Sequence, residues 1–141
     1  MSSRANLVEV RVESSLNSVE LVQALTDNIT KMMRFDEDTA HWIGMSVRES
    51  MINAVRHGNQ YQESKRVDVT FEIHSDRLVI NIDDEGNGFD PESLPDPLAP
   101  ENLLKPSGRG IFFVKSFMDQ VNFLRSPSGG TRLRMMKRTT A

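Results

Sequence analysis

Glu49-Ser50-Met51-Ile52-Asn53-Ala54-Val55-Arg56-His57-Gly58-Asn59 is the stretch on which the reading of this chain turns. Glu49, Asn53 and His57 recur every four residues, so on a helix they form one polar stripe. Trp42, Ile43, Val47, Met51, Ile52 and Val55 take positions that can pack. The spacing predicts a helix from about Asp38 to His57, with Gly58-Asn59 as its C-terminal stop. An acid and an amide on one stripe of an otherwise apolar helix suit Mg²⁺. That ion takes hard oxygen ligands, keeps several waters and uses few protein groups beside substrate phosphates. Asn53 can give the oxygen, and Glu49 can orient a nucleophile or take its proton. The same stripe also fits a solvated face on which Glu49 pairs with Arg56, and His57 reads as packing or support beside the helix C-terminus.

Two glycine motifs follow in order. Asp84-Glu85-Gly86-Asn87-Gly88-Phe89 comes after the apolar run Leu78–Ile82. Gly86 and Gly88 let backbone approach a flat ligand, and Asp84 at the strand end can accept a hydrogen bond from an exocyclic amine such as that of adenine. Asp83, Glu85 and Asp90 read as solvated acids. Gly108-Arg109-Gly110 opens a further helix, whose free N–H groups and dipole favour phosphate, with Arg109 adding a charge. Each motif alone also fits a plain turn. Gly129-Gly130-Thr131 reads first as a hairpin turn, and Thr131 can place a hydroxyl in the same pocket.

Outward from these motifs, Val8, Val10 and Val12 alternate with Glu9, Arg11 and Glu13, as in a half-buried strand. Ser18 is the expected cap of a first helix carrying Val19, Val22, Leu25, Ile29 and Met33, which Phe35 and Asp36 end. Val67–Ile73 and Leu78–Ile82 form a hairpin about Ser75-Asp76, and Val121–Leu124 and Thr131–Met136 form another. Between them, residues 90–107 hold five of the six prolines and no apolar periodicity; a loop of that length is usually functional. After it Ser107 is the expected cap of a helix from Gly108 or Arg109 to about Asp119. Strands joined mainly by hairpins, with helices to spare, predict an α+β two-layer sandwich: a mixed, mainly antiparallel sheet with helices on one face.

The 141 residues are read as one domain, 1–141. Its net charge of −3 argues against a nucleic-acid binder working by bulk charge, and the run Arg125, Arg132, Arg134, Lys137, Arg138 reads as a solvated face or a partner surface. With no cysteine there is no disulfide, thiolate zinc site or cysteine nucleophile. No apolar run approaches the roughly eighteen residues of a membrane span, and no signal pattern opens the chain, so the expectation is a cytoplasmic protein that does not use a membrane.

Taken together, E-x-x-x-N-A-x-x-H-G at 49–58, D-x-G-x-G-F at 84–89, G-x-G at 108–110 and the closing G-G-T at 129–131 resemble the GHKL ATPases, whose architecture is the Bergerat, or histidine-kinase-like ATPase, fold. More narrowly, the chain resembles the bacterial anti-sigma factor serine/threonine kinases. The resemblance implies Asn53 as Mg²⁺ ligand, Glu49 as catalytic acid or base and Asp84 on the adenine amine, with Gly86 and Gly88 shaping that side. It implies Gly108, Arg109 and Gly110 at the phosphates, Thr131 beside adenine and residues 90–107 as a lid over ATP. The function implied is a Mg-ATP-dependent kinase that phosphorylates an anti-sigma factor antagonist and holds a sigma factor, acting as a homodimer without direct nucleic-acid contact. An ATP-binding regulatory switch without kinase activity is the alternative. A detached histidine-kinase domain is disfavoured, because His41, His57 and His74 all lack the acidic neighbour expected of a phosphoacceptor.

Overall fold

The valines of the first strand find their partners at once. A computed structural model describes residues 5–60, 62, 64–86 and 106–139, apart from the side chains of 57 and 106–109. Strand β1 (Asn6–Glu13) pairs antiparallel with β2 (Arg66–Ile73), setting Val8 opposite Phe71, Val10 opposite Val69 and Val12 opposite Val67. Strand β3 (Arg77–Asp83) continues the sheet, followed by β5 (Thr131–Arg138) and then β4 (Gln120–Arg125). The order is β1-β2-β3-β5-β4, and all four pairings are antiparallel.

Because side chains alternate across a strand, Val67, Val69, Phe71, Leu78, Ile80, Ile82 and Met135 share one face. Helices α1 (Leu16–Met32), α2 (Glu37–Asn53) and α3 (Pro106–Phe117) cover it with Val19, Val22, Ile29, Ile43, Val47, Met51 and Val114. The opposite face is mostly polar and charge-paired, apart from the buried pair Val79 and Met136. Arg132 forks onto Asp83 at 2.7 and 2.8 Å, and Arg134 reaches Glu72 at 3.1 Å. One face dry and one solvated is the expected solution for an antiparallel sheet.

Helix boundaries correct two expectations. Ser15, not Ser18, caps α1: its Oγ accepts the Ser18 N–H, and the helix starts at Leu16. Ser18 is instead buried in the helix. Pro106, not Ser107, begins α3, since proline lacks the N–H that a first helical residue cannot pair and has the right φ already. Helix α1 stops where Arg34 adopts φ 62°, and Asp36 caps α2, with Oδ1 accepting the Thr39 N–H at 2.8 Å. Those contacts from Thr39 hold the Asp36 carboxyl below its ordinary value.

At its C-terminus α2 changes register. Ala54–Gly58 forms a π-helical turn, closed by Asn59 N–H donating to the Ala54 carbonyl at 2.8 Å. The four-residue stripe therefore ends at Asn53, and the side chain of His57 lies outside the described residues. Such turns are frequent at functional sites, and this one delivers Gly58 and Asn59 to the end of β3. Phe71 is the largest fully buried side chain among the described residues. Phe71→Ala is expected to cost about 3–5 kcal/mol in urea unfolding with an unchanged m-value; a loss below about 1 kcal/mol would contradict this placement of the core.

Candidate functional site

Asp84 sits just beyond β3, where the sheet, the α2 terminus and the β4–β5 hairpin meet. Its N–H donates to the Thr131 carbonyl at 2.9 Å. Its Oδ1 accepts the Thr131 N–H at 3.0 Å and the Gly86 N–H at 2.9 Å. Both hydrogen bonds fall on Oδ1, leaving Oδ2 without one among the described residues. Asp84 is only 6% exposed. Burial raises its carboxyl above the ordinary value, against the downward pull of the Thr131 and Gly86 N–H groups, while Asp83 adds to the rise.

Glycines make this packing feasible. A Cβ on Gly58 would overlap the Asp84 carboxylate, one on Gly86 would overlap the Gly58 carbonyl, and one on Gly130 would overlap the Asp84 carbonyl. The sequence motifs put Gly86 at this site, but by sequence alone Gly58 is a helix stop and Gly130 a hairpin residue. Their position directly after H and before T in the motifs was the available signal. Ser126 and Ser128 complete the collar, their hydroxyls donating to the Asp84 carbonyl at 3.3 and 3.4 Å.

Thr131 enters through its backbone, which gives Asp84 both a donor and an acceptor, and its side chain is buried. Two neighbouring acids are not the solvated groups expected. Asp83 is held by the Arg132 fork, and Glu85 accepts the Arg66 N–H through Oε1 and lies 3.9 Å from Arg11. The cause is the antiparallel register, which puts Arg132 opposite Asp83. Asp90 lies outside the described residues, as does Gly88.

The second half of the site lies on α2. Glu49 and Asn53 are half-buried, one helical turn apart. Asn53 Nδ2 is buried and has no hydrogen-bond partner among the described residues, which is costly unless something else accepts from it. Helix α3 rests on Glu49: a Cβ on Gly110 would come 2.5 Å from Glu49 Oε2. Gly108 and Arg109 lie in the first turns of α3, though the Arg109 side chain is outside the described residues. Of the segment 90–107, residues 90–105 are also outside them, and 106–107 belong to α3. Among the described residues no group of three or more His, Cys, Asp or Glu side chains could hold a metal. A divalent ion there would need oxygens from elsewhere, and an amide oxygen beside substrate phosphates and water is the donor set Mg²⁺ accepts.

A family model for the histidine kinase-like ATPase domain matches residues 12–137. The chain belongs to this family. It is similar to the serine-protein kinase RsbW of Staphylococcus aureus, 30% identical over 146 residues that cover 97% of this chain and 89% of the relative. The serine-protein kinase RsbW of Staphylococcus epidermidis is 28% identical over 144 residues, with the same coverage. Among solved structures, the RsbU and RsbW domains of a Mycobacterium tuberculosis protein superimpose with a TM-score of 0.68 at 14% identity. That match covers 96% of this chain and 33% of the longer one, and shows the shared fold. As a member of the histidine kinase-like ATPase family, the chain has the α+β architecture that its motifs implied. None of its helices among the described residues is long and apolar enough to cross a membrane.

The burial of Asp84 has a pH signature. Its folded-state value is raised above the 3.8 of a free carboxyl, so the folded protein binds that proton more tightly than the unfolded chain. Ionised Asp84 therefore costs stability at neutral pH, and the cost fades as pH falls through the folded-state value. Asp84→Asn keeps an oxygen for both N–H donors and removes the charge. It is expected to be at least as stable as wild type at pH 7, with a gap that narrows toward about pH 4 in urea titrations. A gap independent of pH would contradict the buried charge.

Proposed function

We propose that this protein is a Mg-ATP-dependent serine/threonine kinase of the anti-sigma factor class, phosphorylating a small antagonist protein and sequestering a sigma factor. The observation that carries the reading is the pairing of two half-sites. One is a buried carboxylate with one oxygen that has no hydrogen bond among the described residues, and the other is an acid–amide stripe beneath the start of a helix. Similarity to two serine-protein kinases over 97% of the chain supports the reaction class.

In this reading Asp84 Oδ2 accepts from the adenine amine, and Gly86 and Gly88 shape that side of the pocket, Gly86 by letting the Gly58 carbonyl pack close. Thr131 holds Asp84 in place and borders the base. Gly108, Arg109 and Gly110 attend the phosphates with the N–H groups of α3 and the Arg109 charge. Asn53 offers Oδ1 to Mg²⁺, and its unpartnered Nδ2 can donate to a phosphate oxygen or water. Bound Mg²⁺ supplies charge neutralisation at the phosphates. Glu49 orients the substrate seryl or threonyl hydroxyl and takes its proton as that oxygen bonds to the γ-phosphorus; the bond to the bridging oxygen breaks and ADP leaves. The protein is proposed to work in the cytoplasm as a homodimer, with protein partners rather than DNA or membrane.

Transfer of label from γ-labelled ATP to a purified antagonist protein tests the reading. Asn53→Ala should abolish Mg-dependent ATP binding. Glu49→Ala should keep binding and slow transfer by about 10²–10⁴. Gly110→Ala, which drives a methyl into Glu49 Oε2, should lower kcat more than it weakens ATP binding. Transfer at the wild-type rate in Glu49→Ala would overturn its role. ATP binding without any transfer would leave the regulatory switch, a nucleotide-responsive partner trap without chemistry.

A further inference from the structure

Asn59 directly follows the E-x-x-x-N-A-x-x-H-G motif, a position that by sequence alone only ends a helix. It is fully buried, at 0% exposure. Its Oδ1 accepts the Glu85 N–H at 2.8 Å, while Nδ2 donates to Ser14 Oγ at 3.1 Å and to the Arg66 carbonyl at 3.1 Å. Its own N–H closes the π-helical turn onto Ala54, and its carbonyl accepts the Gln62 N–H at 3.0 Å. One side chain thus joins the ends of β1, β2 and β3 to the end of α2.

The bond to Glu85 N–H has a particular geometric consequence. Glu85 lies between Asp84 and Gly86, the two residues linked by the Gly86 N–H to Asp84 Oδ1 contact. Gly58, the residue before Asn59, is packed against the Asp84 carboxylate, and its carbonyl against Gly86. The Asn59 amide therefore fixes the Asp84–Gly86 loop with respect to the Gly58 wall. The separation of those two segments defines where Asp84 Oδ2 points. A neutral amide suits the task, because it offers an acceptor to one strand end and two donors to the others without burying a charge.

We propose that Asn59 is a positioning residue that sets nucleobase selectivity, holding the Asp84 carboxylate at the distance at which it recognises an exocyclic amine. Asn59 does not touch the base; it acts through Glu85 N–H and the Gly58 wall. The proposal rests on the assignment of Asp84 to adenine, and its test separates the two.

Calorimetric affinities for Mg-ATP and Mg-inosine triphosphate, which lacks the amine, are compared in wild type, Asn59→Ala, Asn59→Asp and Ser14→Ala. Amide exchange at Glu85 and Gly86 is followed in the nucleotide-free proteins. Wild type should prefer ATP by about tenfold or more, the unpaired buried acceptor penalising the analogue. Asn59→Ala should lose about fivefold of that preference and speed exchange at Glu85. Asn59→Asp keeps the acceptor for Glu85 N–H and should retain the preference while losing stability. Ser14→Ala removes one Nδ2 partner and should lower stability with the preference unchanged. If Asn59→Ala does not fold, the comparison is read on Asn59→Ser, whose hydroxyl stops short of Glu85. An unchanged preference in Asn59→Ala overturns the proposal, whatever the exchange rate at Glu85. A wild type that does not prefer ATP overturns the adenine assignment instead; faster exchange at Glu85 in Asn59→Ala would then support the anchor, and unchanged exchange would overturn it too.

Discussion

The constraint behind the rest of the site is the burial of one carboxylate at the end of a strand. Asp84 is taken out of water, and backbone N–H groups from two different segments are spent on a single oxygen. Burial raises that carboxyl above its ordinary value, and its second oxygen packs against Gly58. Glycines 58, 86 and 130 follow from that decision, since the carboxylate and its carbonyl fill the volume that their side chains would need. The π-helical turn follows as well, because it brings Gly58 and Asn59 across from α2 to the end of β3.

The rest of the sheet makes this arrangement rigid. Its covered face is a continuous layer of valine, isoleucine, phenylalanine and methionine against three helices, so strand register cannot slip without exposing that layer. Its open face is laced by Arg132–Asp83 and Arg134–Glu72. Burial works against the charge of Glu72, yet the Arg134 charge and the hydrogen bonds donated by Asn81 and Arg134 hold the carboxyl below its ordinary value. The Arg132–Asp83 fork sits immediately before Asp84, so ladder and site share one strand end. Helix α2 is the other rigid element, placing Glu49 and Asn53 one turn apart beneath α3.

Much of this was legible because the signals were periodic. Alternation gave β1 to β5 in order, and the apolar spacing gave all three helices. The helix stripe and the two glycine motifs led to the family that the comparisons show. What escaped depended on contacts far apart in sequence. Ser15 and Ser18 are equally good caps by composition, and only the packing that buries Ser18 decides between them. Asp83 and Glu85 looked like surface acids because Arg132 and the Arg66 N–H reach them through sheet pairing alone. Asn59 looked like a helix stop, since its partners Ser14 and Glu85 are separated from it by 45 and 26 residues.

Calorimetric titration of ATP into wild type and Asp84→Asn, each with and without Mg²⁺, tests the central claim most directly. The account predicts Mg-dependent binding by wild type and its loss in Asp84→Asn, with a folded mutant no less stable at neutral pH. Equal binding by the two proteins, or none by wild type, would contradict the assignment of Asp84 to the nucleotide.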